Sequence, residues 1–240
     1  MPAAFRIGPM IEAPNNKCVE TICQAANPSG LARELALAEA PSARGPLARI
    51  TAPEIVDSSS LRAFVRRYNA GVMTRIELPA VRDAYWHAAH YEVRELIALD
   101  IAVGRAPALQ RYIEASRAAG RRQLRRLLPM RDQRMVRRYW NAIERGEAYG
   151  CHAVVFGMVL SLFSLPLRQG LLHYAHQTLA GFVRAGARRL ALPPAVALCV
   201  MDEATRGLPA TVEELLAGSQ KEIQVVRSGG VQRAEGDANT

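Results

Sequence analysis

The chain has 240 residues, half of them apolar, with 31 Lys or Arg against 22 Asp or Glu and a formal charge of +9. That length and apolar content exclude disorder as the default state and suffice for a sizeable core. Only two lysines occur, Lys17 and Lys221, which excludes a lysine-bearing phosphate loop. The basic balance favours an acidic partner, whether nucleic acid, membrane surface or protein, over a merely solvated Arg-rich surface only by an even margin.

Residues 1–50 are punctuated by Pro2, Pro9, Pro14, Pro28, Pro41 and Pro46, and read as an irregular arm with one short helix, Leu31 to Ala40. The segment MPAAFRIGPMIEAP has neither the charged start nor the continuous apolar run of a signal peptide. Cys18, Cys23, Cys151 and Cys199 form no C-x-x-C pair, and two of them sit in apolar helical runs as small hydrophobes. Both observations suit the cytoplasm.

Asp57-Ser58-Ser59-Ser60 offers N-caps for a helix carrying Leu61, Phe64, Val65 and Tyr68 on one side. Asn69-Ala70-Gly71 reads as a break. A long helix is then predicted from Pro79, which fits a first turn, to about Val103, with Tyr85, Ala89, Leu96 and Leu99 inward. Gly104 and Pro107 end it and start another running to about Leu128. There Ser116, Ala119 and Gly120 would let another helix backbone approach closely. A further helix, Asp132 to Arg145, has Met135, Tyr139 and Ile143 as its apolar row, and Gly146 and Gly150 form the next turn.

From Ala153 to Leu167 the chain is almost wholly apolar, then Pro166 and Arg168 separate it from a periodic segment. In that segment Leu171, Ala175, Leu179, Phe182 and Gly186 form one face. The first helix reads as buried on all sides and the second as packed against it. At about 15 residues the apolar run is shorter than a membrane span requires. Pro193-Pro194 restarts a helix with Val196, Cys199 and Val200. Thr211 with Glu214 reads as a capping box for a last helix to about Val226, followed by a frayed tail.

No segment alternates as a strand does, so the fold class is all-α. We expect a single compact domain of about eight to ten helices over residues 51–228, the irregular arm at 1–50, and a flexible tail at 229–240.

The chemistry-bearing clusters have ordinary alternatives. Arg105, Arg111, Arg117, Arg121, Arg122, Arg125, Arg126, Arg131, Arg134, Arg137 and Arg138 could neutralise phosphates. They spread round two helices without a helix-turn-helix pattern, so a basic face that is solvated or meets an acidic protein is the stronger reading. His87/His90 and His173/His176 have the i, i+3 spacing of paired ligands, but no H-E-x-x-H motif accompanies them, and core or surface histidines fit better. Ser58–Ser60 are better caps than nucleophiles. Nothing in the pattern argues for an enzyme.

In order along the chain stand "IALD" at Ile97–Asp100, "EASRAAGRRQLRRL" at Glu114–Leu127, "HAVVFG" at His152–Gly157 and "HYAHQTLAGFVRAGARRL" at His173–Leu190. In that order and spacing the chain resembles the urease accessory protein UreF family over roughly residues 55–228. It departs from the family's pattern towards its ends. Pro28, Gly30 and Glu39 fall at fitting positions, but Glu34-Leu35 replaces a His-Ser pair. Leu192-Pro193-Pro194-Ala195 follows Arg189-Leu190 in place of Pro-Leu-Gly-Gln, and Ser228-Gly229 follows Arg227 in place of Leu-Phe.

The resemblance implies a non-enzymatic, all-helical chaperone-like scaffold that forms homodimers, binds UreD (UreH) and recruits the GTPase UreG to the urease apoprotein. Such a protein assists nickel insertion in metallocentre assembly while its partners handle nickel and GTP, so no cofactor, metal or catalytic residue is expected on this chain. Neither membrane nor nucleic acid is an expected partner. The partner-binding positions it implies are Pro28, Gly30, Glu39, Arg189, Leu190, Glu222, Val225, Val226 and Arg227. The alternative is a basic nucleic-acid-binding helical protein using Arg117–Arg138.

Overall fold

The computed structural model describes residues 55–129 and 134–218, and all regular structure among them is helical. The helices are α1 (Ser58–Tyr68), α2 (Leu78–Ala89), α3 (Val93–Arg105), α4 (Ile113–Leu127), α5 (Arg134–Glu144), α6 (His152–Leu162), α7 (Leu167–Arg189), α8 (Pro194–Thr205) and α9 (208–218). The predicted N-terminal arm, the end of the last helix and the tail lie outside the described residues. Among those described, no helix is long and apolar enough to cross a membrane.

The apolar run forms α6, in which every residue from His152 to Leu160 is buried. Its chief neighbour is α2, with α7 touching it less extensively. The reason is steric. A Cβ on Gly157 would stand 2.2 Å from the carbonyl oxygen of Val81 and 2.9 Å from Ala84 Cβ, so the two backbones meet where neither carries bulk. Ala80, Ala84 and Ala88, spaced four apart, make the facing row. The face Leu171, Ala175, Leu179, Phe182 and Gly186 of α7 is buried as its periodicity predicted. Gly170 lies against Leu160, and Gly186 against Leu61.

Three boundaries differ from the sequence reading. Asn69-Ala70-Gly71 is no break: the chain continues as a π-helix, Asn69–Glu77, straight into α2. Asn69 is held there by a hydrogen bond from its amide to the Ala204 carbonyl, 3.3 Å. The helix predicted from Pro79 to Val103 is interrupted at Tyr91, which takes φ 59°, and restarts as α3. Of its four expected inward residues only Leu96 is buried; Tyr85 and Leu99 are half-buried and Ala89 is exposed. At the other end, Thr211 caps nothing. It lies inside α9, its hydroxyl donating to the Gly207 carbonyl at 3.1 Å, because the helix has already begun at residue 208.

Asp57 is the N-cap of α1: its carboxylate accepts from Ser60 N–H while Ser60 Oγ accepts from the Asp57 amide. The segment Pro107–Tyr112 is 3₁₀-helical before α4 begins. On α5, Met135, Tyr139 and Ile143 are buried as expected, and Gly146 and Gly150 both adopt φ 76°, a turn geometry that favours glycine. Cys151 is buried, but Cys199 is exposed on α8, whose inward residue is Val200.

Candidate functional site

The polar interior gathers at the start of α6. Asp100, near the end of α3, is fully buried and accepts three backbone hydrogen bonds there. Tyr149 and Gly150 donate to Oδ2 at 2.6 and 2.7 Å, and Cys151 donates to Oδ1 at 2.8 Å. The next amide, of His152, donates to Ser116 Oγ on α4 at 3.0 Å. Two side chains thus satisfy four consecutive N–H groups at a helix N-terminus, where orphan donors and the helix dipole favour a negative group. Small residues on α4 allow the approach, since a Cβ on Gly120 would meet the Gly150 carbonyl oxygen at 2.2 Å. The predicted close contact is real: its partner is the first residue of α6 together with the backbone that leads into it.

Around this junction the side chains are held in unreactive forms. Burial, then the charge of Asp100, pushes the Cys151 thiol up, far from a nucleophilic thiolate. Burial lowers His152 to about 3, so its ring is neutral, and it stacks on Tyr174 with centroids 5.3 Å apart. Adjacent Cys and His here are core residues.

A second buried carboxyl lies at the end of the π-helix. Glu77 accepts from the Tyr68 hydroxyl at 2.8 Å, and burial raises its pKa to about 7. Tyr68 also belongs to an aromatic cluster with Phe64, Tyr112 and Phe182, its ring 4.5 Å from that of Phe182.

The first histidine pair is occupied locally. His87 Nδ1 stands 2.7 Å from Glu92 Oε2, and His90 Nδ1 stands 2.9 Å from the Trp86 carbonyl oxygen. Partial burial lowers both His173 and His176, and His173 stacks on Phe156. Among the described residues no three His, Cys, Asp or Glu side chains gather as a metal-holding group.

Part of the arginine stripe is structural. Arg117 pairs with Glu114 at 3.0 Å and lies over the Tyr149 ring at 5.1 Å. Arg121 Nε donates to the Tyr149 carbonyl at 3.2 Å, and Arg125 lies over Trp140 at 5.5 Å. These three tie α4 to α5 and to the approach to α6. Arg105, Arg111, Arg122, Arg126, Arg134, Arg137 and Arg138 are exposed, and Arg131 lies outside the described residues.

Of the expected partner-binding positions, Arg189 is exposed and Leu190 half-buried at the end of α7. Pro28, Gly30, Glu39, Glu222, Val225, Val226 and Arg227 lie outside the described residues. The sequence pattern assigned no role to Asp100 or Glu77, and to Ser116 only that of a small residue permitting close approach. Asp100 did carry a signal: with Leu96 and Val103 it continues the apolar face of α3, so its charge must be buried. Large apolar side chains left open to solvent include Trp86 and Tyr91 at the α2–α3 turn and Leu198 on α8.

The family model of UreF matches residues 55–198, more than half of the chain. The matched span contains Asp100, Ser116, the α6 N-terminus and Glu77. No curated protein matches the chain.

Proposed function

The chain belongs to the UreF family of urease accessory proteins, and from that premise we propose that it is a non-catalytic scaffold in nickel insertion into urease. In this reading it bridges a UreD/UreH-type accessory protein and a UreG-type GTPase on the urease apoprotein, and it acts as a homodimer in the cytoplasm. Nickel and GTP are carried by those partners. The observation that supports it is the UreF match across residues 55–198. The chemistry of the interior agrees: Asp100 serves backbone amides, Cys151 is a buried thiol, and His152 is a neutral stacked ring, all of them suited to holding helices rather than to turnover.

The expected docking element for the UreD-type partner is the segment following α9. Glu222 and Arg227 would supply charge-assisted hydrogen bonds, and Val225 and Val226 apolar burial. Arg189 and Leu190 would contribute a second contact, with Pro28, Gly30 and Glu39 on the N-terminal side. Co-expression with tagged UreD- and UreG-type proteins and urease apoprotein tests the reading. The full chain should co-purify with the UreD-type partner, and a chain lacking residues 219–240 should fold but fail to do so. Association in no combination overturns the function; a complex that survives the truncation overturns only the docking element.

A further inference from the structure

A pocket of about 290 Å³ opens between α1 and α8, and its lining shares no residue with the buried junction at α6. Three guanidinium groups line it: Arg62 and Arg66, four apart on α1, and Arg206 just after α8. Their spacing places the first two on one helix face. The opposing charge in the lining is Glu203, whose Oε2 stands 3.3 Å from Arg62 Nε. Asp202 takes one arm of Arg206 at 2.7 Å, on a side chain that remains largely exposed. The rest of the lining is Asn69 and a short apolar floor of Val65, Val200 and Ala204.

The polar groups here are incompletely matched. Arg62 Nε lies within ion-pair distance of Glu203 but makes no hydrogen bond, and Asn69 Oδ1 is shielded from solvent without a partner. About a third of the Arg62 side chain stays open. Three guanidinium groups against two carboxylates, Glu203 and the exposed Asp202, leave one positive charge in excess at this space.

We propose that this pocket binds a carboxylate carried on a short aliphatic stem, the chemistry shared by a partner protein's glutamate side chain and a free small dicarboxylate. Guanidinium forks match a carboxylate's two oxygens, and Val65, Val200 and Ala204 take the methylenes. A phosphate dianion fits less well. The pocket lies at the C-terminal end of α8 and already holds Glu203, both of which oppose an anion, and they oppose a phosphate dianion more than a single carboxylate group. A nucleotide fits no better, because among the described residues no aromatic ring lines the space for a base to stack on.

Calorimetric titration of the full chain at low ionic strength tests this, with sodium glutarate, inorganic phosphate and a capped glutamate-rich pentapeptide as probes. Glutarate should bind saturably at one site, and Arg62→Ala and Arg66→Ala should each weaken it by about tenfold. Arg188→Ala, an exposed arginine on α7 outside the pocket, should leave it unchanged. Circular dichroism checks folding of each variant; if Arg62→Ala unfolds, the exposed Arg66→Ala alone decides. Tighter binding of the peptide than of glutarate assigns the site to a partner's side chain, and the reverse assigns it to a free dicarboxylate. Absence of saturable carboxylate binding, an equal loss in Arg188→Ala, or tighter binding of phosphate overturns the proposal.

Discussion

Asp100 Oδ1 accepts a hydrogen bond from the Cys151 amide at 2.8 Å across 51 residues of sequence. With the two bonds to Oδ2, this places the end of α3 under the start of α6 and fixes where the central helix begins. The long-range carboxylate secures the backbone leading into α6, where Cys151 at the N-cap makes no side-chain cap bond.

Asp100→Asn should therefore destabilise the fold by about 2–4 kcal/mol. The amide keeps one acceptor but turns an NH₂ group towards buried N–H donors, and each unsatisfied buried group costs about 1–3 kcal/mol. Urea denaturation of the two proteins measures the difference. A change below about 0.5 kcal/mol, the range of ordinary surface substitutions, would remove the cap from the account.

Two glycines should respond with opposite sign. Gly157→Ala forces a Cβ to within 2.2 Å of the Val81 carbonyl oxygen, which is backbone and cannot swing aside, so we expect a loss of about 2–4 kcal/mol. Gly71→Ala meets nothing within 4 Å and removes unfolded-state freedom, so a gain of about 0.5–1 kcal/mol is expected. Thermal melts of both variants check the pair; equal shifts would mean that α2–α6 contact is not set by Gly157.

How far the sequence discloses this architecture depends on what each residue's burial was for. Amphipathic rows of large side chains were legible: Leu61, Phe64, Val65 and Tyr68, or Met135, Tyr139 and Ile143, are all buried as read. The inward face of α2 was not, because there the close approach of Gly157 selects small residues and leaves Tyr85 half-buried and Ala89 outside. A size-weighted pattern then points to the wrong side. The Tyr91 turn carries no Gly or Pro to announce it. Exposure of Cys199 depends on which face of α8 meets α1 and α7, a tertiary choice. Asp100 and Glu77 stand singly among apolar residues, and only the folded chain reveals the amides or hydroxyl each one meets.

Members of the arginine stripe differ in how much they hold the fold. Arg117→Ala loses an ion pair and a cation–π contact with Tyr149 and should cost about 1 kcal/mol, whereas exposed Arg137→Ala should change stability by less than about 0.5 kcal/mol. Denaturant titrations of the two variants separate them. A gel-shift series with duplex DNA tests the nucleic-acid alternative. Six phosphate contacts would give a log K against log salt slope of about −5, and the expected outcome is no binding even at low salt.

Glu77 and His152 should give the fold opposing responses to pH. Glu77 has its pKa raised from an ordinary 4.5 to about 7 by burial. Between those values the native chain keeps a proton that the unfolded chain has released, so stability falls as pH rises. His152 is lowered from 6.5 to about 3 by burial. Between those values the unfolded chain holds a proton that the native chain lacks, so stability rises with pH. Each slope reaches at most about 1.4 kcal/mol per pH unit, and the two offset one another where their windows overlap. Glu77→Gln keeps an acceptor for the Tyr68 hydroxyl and removes the carboxyl's contribution, so its stability should climb relative to the parent chain from pH 5 to about 7. His152→Gln removes the histidine's contribution, so its stability should decline relative to the parent from pH 5 to about 6.5 and run level above that. Urea midpoints at pH 5, 6, 7 and 8 read both curves, with every other titrating group common to the two variants. Divergent curves are the expected result; parallel ones would show that neither group is titrating in the interior.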